Sequence, residues 1–184
     1  MYHYLIIHGA YGNPQENWFP WLKTQLADSG HVEVPAFPTP ENQNLKTWMT
    51  IAEEKIVNCS PDRTFIIGHS TGALLAMRLA EKTSKPYRGI FLACPFAKDL
   101  GLSFDQLNSS FIHPEFDWNR TKQGASSIYC YAGDNDPYVP LPYTQEIADL
   151  LNGDLKVIPN GGHLNENAGM IEFPLIVTDI MSLR

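Results

Sequence analysis

The chain has 184 residues, 43% of them hydrophobic and only 18% charged, a balance that suits one well-buried domain and is short for two. A net charge of −7 leaves no basic stripe to neutralise phosphates, so neither nucleic acid nor an anionic membrane surface is an expected partner. No run approaches the length of a membrane span, and Cys59, Cys94 and Cys130 stand too far apart for a Cys-x-x-Cys pair; they read as buried small hydrophobes, with neither a disulfide framework nor a zinc site.

The first apolar run, Tyr2 to Ile7, has no basic region before it and leads straight into His8-Gly9, so it reads as a first strand and not a signal peptide. A cytoplasmic chain is therefore expected, in which the sequon matches at Asn58, Asn108 and Asn119 are chance. Pro20 can open a helix as its first residue, with Trp21, Leu22 and Leu26 facing inward and Gly30 just past its end. A strand follows at His31 to Val34. Asn44 can cap a second helix whose Leu45, Trp48, Ala52 and Ile56 line one face. Arg63 to Ile67 reads as a buried parallel strand, and Ala73, Leu74, Met77 and Ala80 recur at helical spacing in a helix ending near Lys82.

Further strands are expected at Gly89 to Ala93, Ser127 to Ala132 and Leu155 to Ile158, and further helices at Pro142 to Leu151 and Met170 to Leu183. Between Cys94 and Ser126 the periodicity is weak, although the segment carries Phe96, Phe104, Phe111, Phe116 and Trp118. It is either a lid or binding loop or a peripheral hairpin of short helices over the core. On the first alternative, Phe111 and Trp118 border the substrate pocket. The alternation throughout predicts a single α/β domain over residues 1–184, with a mostly parallel central sheet and helices on both faces.

Gly68-His69-Ser70-Thr71-Gly72 fits Gly-x-Ser-x-Gly and lies between a predicted strand and a predicted helix, the context of a nucleophile elbow. So abrupt a turn strains its apical residue and leaves no room for Cβ atoms on either side, hence the glycines. Ser70 is the apex, at a helix N-terminus where the Thr71 N–H can meet developing negative charge. The turn after the first strand supplies a second oxyanion donor, assigned to the Ala10 N–H, with His8 fixing the turn.

Gly133-Asp134-Asn135-Asp136-Pro137 places two carboxylates at a strand end, and Gly161-Gly162-His163 delivers a histidine before the last helix. Pro137 rigidifies the exit beside Asp136, which has the spacing of a triad acid, whereas Asp134 is expected to bond backbone N–H groups of its own turn. The order Ser70, Asp136, His163 is that of the α/β-hydrolases. His3, His31 and His113 fall outside any paired motif and His69 packs beside the elbow, so no catalytic metal and no cofactor are expected. Trp18 and Trp21 either wall the site or are plain core.

These motifs, with Ile66-Ile67 before the elbow, Ala76-Met77-Arg78-Leu79-Ala80-Glu81 after it, and Asp136-Pro137-Tyr138-Val139-Pro140, carry a resemblance. The whole chain resembles the small α/β-hydrolase family of retinoblastoma-binding protein 9 and the YdeN-like serine hydrolases. That resemblance implies a minimal hydrolase without a large cap domain and assigns the acid to Asp136. Arg78 and Glu81 lie in the similar stretch, with a surface ion pair or helix contact as their expected work. The retinoblastoma-pocket motif Leu-x-Cys-x-Glu is not met, because Leu92-Ala93-Cys94-Pro95-Phe96 has Phe96 in place of the acid. The expected activity is hydrolysis of an ester, thioester or amide of a small acyl substrate through an acyl-enzyme. The rival is a catalytically idle scaffold that binds proteins, although nothing in the chain identifies a protein partner.

Overall fold

Alternate residues of each strand point to opposite faces of a sheet, so strands buried on both faces divide their apolar side chains between two cores. The computed structural model, which describes all 184 residues, is built this way. Strands β1 (Tyr2–Ile7), β2 (Gly30–Glu33), β3 (Thr64–His69), β4 (Gly89–Ala93), β5 (Ile128–Gly133) and β6 (Asp154–Ile158) form one sheet in the order β2-β1-β3-β4-β5-β6. Every pairing is parallel, with Leu5 opposite Ile66 and Ile67 opposite Phe91.

Leu5, Ile7, Ile66 and Leu92 enter one core, whereas Tyr4, Ile6, Phe65, Ile67 and Phe91 enter the other. The first core is closed by α2 (Leu45–Ile56), α3 (Thr71–Lys82) and α6 (Leu141–Leu151), the second by α1 (Phe19–Leu26) and α7 (Pro174–Ser182). No helix is long and apolar enough to cross a membrane. Asn44 caps α2 by accepting the Thr47 N–H at 2.9 Å, and Asn152 ends α6 in the left-handed region at φ 54°.

The last helix departs from expectation, because it begins at Pro174 and not at Met170. Residues 165–173 instead hold a short 3-10 turn, Glu166–Ala168, closed by Gly169 at φ 79°. Between β4 and β5 lie two short helices, α4 (Asp105–Ile112) and α5 (Trp118–Gln123), packed over α3. They are fastened by Arg78, which is only 6% exposed and is no surface residue. Its guanidinium donates to the carbonyls of Phe111 at 3.0 Å, Ile112 at 3.1 Å and Pro114, pairs with Glu81 at 2.6 Å, and lies 3.6 Å over the Phe116 ring.

Candidate active site

Parallel topology brings the loops at the carboxyl ends of β1, β3, β4, β5 and β6 to one rim of the sheet. At the end of β3 the chain reverses into α3 through Ser70, whose φ of 55° and ψ of −120° are strained for a residue with a side chain. A Cβ on Gly68 would lie 2.2 Å from the Gly72 carbonyl oxygen, and one on Gly72 would lie 2.3 Å from that of Ile7. Both glycines of the elbow are therefore required by close approach.

Across from Ser70, the loop after β5 holds Asp136 and the loop after β6 holds His163. Asp136 Oδ2 accepts from His163 Nδ1 at 2.7 Å, while its Oδ1 accepts the backbone N–H groups of Tyr138 and Val139 at 2.8 and 3.0 Å. Burial pushes the Asp136 carboxyl up, but these hydrogen bonds and the facing imidazole more than offset it and hold the group below the usual carboxylate range. Asp134 does other work than expected. Its Oδ1 takes the Asn160 N–H at 2.7 Å, and Asn135 Oδ1 takes the Gly162 N–H at 2.7 Å, so the two residues staple the acid's loop to the histidine's loop.

Ser70, Thr71, Ala10 and His163 line one cleft of about 290 Å³. Thr71 is the first residue of α3, so its N–H has no partner within the helix. The Ala10 turn is set by His8, which is fully buried: Nδ1 donates to the Gly9 carbonyl at 2.8 Å and Nε2 accepts the Phe37 N–H at 3.0 Å. Trp18 is core, and its Nε1 donates to the Leu164 carbonyl at 2.9 Å, immediately after His163. His69 also serves the loop, donating from Nε2 to the His163 carbonyl at 2.8 Å.

Phe111 and Trp118 are not brought to the cleft. Phe111 is fully buried, with its ring edge-on to Trp48 at 5.2 Å; Trp118 stacks on Phe116 at 5.2 Å beside a separate hollow that also contains Tyr143 and Ile147. Burial captures Phe111 in the core and packs Trp118 against its edge, and the wall of the cleft is left to Leu100, Phe104 and Asn108. Tyr138 was also missed; its ring stands edge-on to His163 at 5.1 Å, and its signal was its place two residues after the acid.

One group of side chains could be asked to hold a metal. Donor atoms of His69, Cys94 and His163 lie within 4.8 Å of one another. However, burial and the nearby Asp136 charge push the Cys94 thiol well above its ordinary value, and His163 Nδ1 is held by Asp136. A thiol held in its protonated form is a poor metal ligand, so this donor set does not suit an ion.

The Serine hydrolase family model matches residues 4–182. YdeN of Bacillus subtilis is 28% identical over 180 residues, covering 96% of this chain and 93% of its own. Serine hydrolase RBBP9 of Rattus norvegicus is 28% identical over 172 residues, covering 90% and 87%. Among solved structures, the B. subtilis ydeN gene product superposes with a TM-score of 0.90 at 26% identity, over 100% of this chain and 98% of that one. Est1E of Butyrivibrio proteoclasticus, solved with ferulic acid, shares the fold at a TM-score of 0.74 and 17% identity, over 99% and 88%. The chain belongs to the serine hydrolase family and has the α/β-hydrolase fold.

Proposed function

We propose that this serine hydrolase cleaves small carboxylic esters without a metal, through Ser70 as nucleophile, His163 as base and Asp136 as the acid that orients it. The observation that carries the reading is the 2.7 Å contact between His163 Nδ1 and Asp136 Oδ2 in the cleft that Ser70 lines. With Nδ1 so engaged, Nε2 is the nitrogen left to take the Ser70 proton as Oγ attacks the acyl carbonyl. The N–H groups of Ala10 and Thr71 receive the oxyanion. Collapse of the tetrahedral adduct breaks the ester bond, and His163 returns the proton to the leaving alcohol. Water then adds to the acyl-enzyme by the same route, and the carboxylic acid leaves.

The test is labelling with a fluorophosphonate probe together with hydrolysis of 4-nitrophenyl esters. Ser70→Ala should abolish labelling and reduce hydrolysis by at least about a thousandfold. A Ser70→Ala protein that labels at the wild-type rate refutes the nucleophile. Absence of labelling in the folded wild type would favour the idle-scaffold reading instead.

A further inference from the structure

Asn108 stands out among the residues of the cleft because it is 1% exposed, lies on α4, and has half of its amide committed elsewhere. Its Oδ1 accepts the Thr71 hydroxyl at 2.7 Å and Gln43 Nε2 at 3.2 Å. The direction of these bonds is fixed by a chain that starts from backbone groups of known polarity. Gln43 Nε2 also reaches the Leu107 carbonyl at 3.2 Å, so that atom must be the donor. Gln43 Oε1 accepts the Thr39 hydroxyl at 2.6 Å, and Thr39 Oγ1 accepts the Tyr11 N–H at 2.7 Å. Every donor in the chain thus points the same way, and the Asn108 oxygen is its terminus.

The Asn108 Nδ2 is left over. It has no hydrogen bond within the protein, yet it is not sealed in, since His69 Nδ1 is the one sealed polar side-chain atom without a partner. Asn108 lines the cleft beside Ser70 and Thr71, so its amide hydrogens have the cleft as their outlet. A donor so buried and so rigidly oriented is the kind of group that a substrate acceptor satisfies, and that an apolar substrate would leave unpaired.

The side of the cleft can also be assigned. A leaving alcohol takes its proton from His163 and therefore departs on the His163 side. The hydrogen bonds of Asn108 lead instead to the start of α3, through Thr71, and to the β1 turn, through Gln43, Thr39 and Tyr11, and none of them reaches the loops of Asp136 and His163. We propose that Asn108 Nδ2 is a specificity-determining donor to an oxygen acceptor on the acyl group, placed close to the scissile carbonyl. The substrate class is then an oxygenated acyl ester, such as a 2-alkoxy, 2-hydroxy or 2-acyloxy acid, in preference to a plain alkanoate. The inference rests on Ser70 being the nucleophile.

The test uses two esters of equal heavy-atom count, 4-nitrophenyl methoxyacetate and 4-nitrophenyl butyrate, which differ by an oxygen in place of a methylene. Their kcat/KM ratio, divided by the ratio of their alkaline hydrolysis rates, removes intrinsic reactivity. Wild type should favour the methoxyacetate by at least about tenfold on this scale. Asn108→Asp keeps an oxygen for Thr71 and Gln43 and replaces the donor with an acceptor, so the preference should vanish or invert. The wild-type measurement decides the matter alone if the variant fails to fold. A corrected wild-type ratio near one, or a variant that slows both esters equally, overturns the inference and leaves the triad standing. If wild type is labelled at Ser70 yet hydrolyses neither ester, the substrate class is wrong. If it is not labelled at all, the triad reading falls and this one with it.

Discussion

The buried ring of His69 has a measurable consequence for stability. Its Nε2 hydrogen is spent on the His163 carbonyl at 2.8 Å, and its Nδ1 is enclosed without any partner. Burial, with the neighbouring His163 imidazole adding to it, pushes the group down to about 3. In the unfolded chain the same imidazole returns to about 6.5. Because the folded value is depressed, the unfolded state takes the proton first on acidification. The stability that rests on a neutral His69 is therefore complete above about pH 6.5 and is lost progressively from there down to about pH 3.

Between pH 7 and pH 5 the loss is about 2 kcal/mol, and any folded value below about 4 gives nearly the same figure. Against a typical total of about 5–15 kcal/mol that is readily measured. The assay is urea unfolding at pH 7, 6 and 5 on wild type and on His69→Gln, whose amide can still donate to the His163 carbonyl while nothing titrates. His8, also held down by burial, and Asp136 remain in both proteins and cancel in the difference between the two pH profiles. The variant should lose about 2 kcal/mol less than wild type over this range, whatever its stability at pH 7. Profiles that run parallel within about 0.5 kcal/mol would mean that the ring takes a proton in the folded state, and the burial argument would fail.

Two further outcomes follow from the loops around it. Asp136→Asn should keep the fold and lower the burst-phase acylation rate by about ten-thousandfold, since an amide supports neither the right tautomer nor the imidazolium; Asp134→Asn, which retains an oxygen for the Asn160 N–H, should change stability by under about 1 kcal/mol and leave acylation near wild type, and the reverse pattern would move the acid to Asp134. Arg78→Met removes the donor from three carbonyls and one partner from a part-buried ion pair, and should cost about 3–5 kcal/mol in urea unfolding with faster proteolysis between α4 and α5; a loss under about 1 kcal/mol would show the clasp to be dispensable.

Much of this was legible in the sequence because it rests on local patterns. Strand β4 was expected at Gly89–Ala93 and is there, Asn44 caps α2, and Gly68 and Gly72 flank a strained Ser70. The walls of the cleft were less legible. Phe111 is one of several rings in the segment between β4 and β5, but which way α4 turns it depends on Trp48, a partner on another helix. Asn108 showed only as part of a sequon, because its place is set by Gln43 and Thr71, residues 65 and 37 positions away. For Arg78 the sequence left a surface ion pair and a helix contact both open, for the same reason: its carbonyl acceptors belong to a segment more than thirty residues downstream. Periodicity reports which face of a helix is buried, and it is silent about what buries it.

The strain in the backbone points to the same rim as the chemistry. Apart from glycine and asparagine, which tolerate positive φ, only Tyr11, Ser70, Cys94 and Leu164 adopt it, at 59°, 55°, 52° and 48°. All four lie just beyond the carboxyl ends of strands or next to His163, although these residues make up a small part of the chain. Each such conformation costs about 1–3 kcal/mol, so it persists only where its surroundings leave no alternative. Here each is pinned through its own amide: Tyr11 N–H to Thr39 Oγ1 at 2.7 Å, Ser70 to the Ala93 carbonyl at 2.8 Å, Cys94 to that of Tyr131 at 2.8 Å, and Leu164 to that of Gly161 at 3.0 Å. Ser70 and Cys94 are thereby held by the next strand in the sheet, so the rigid parallel ladder itself sets the position of the serine. A nucleophile must be fixed to within a fraction of an ångström of its base before substrate arrives.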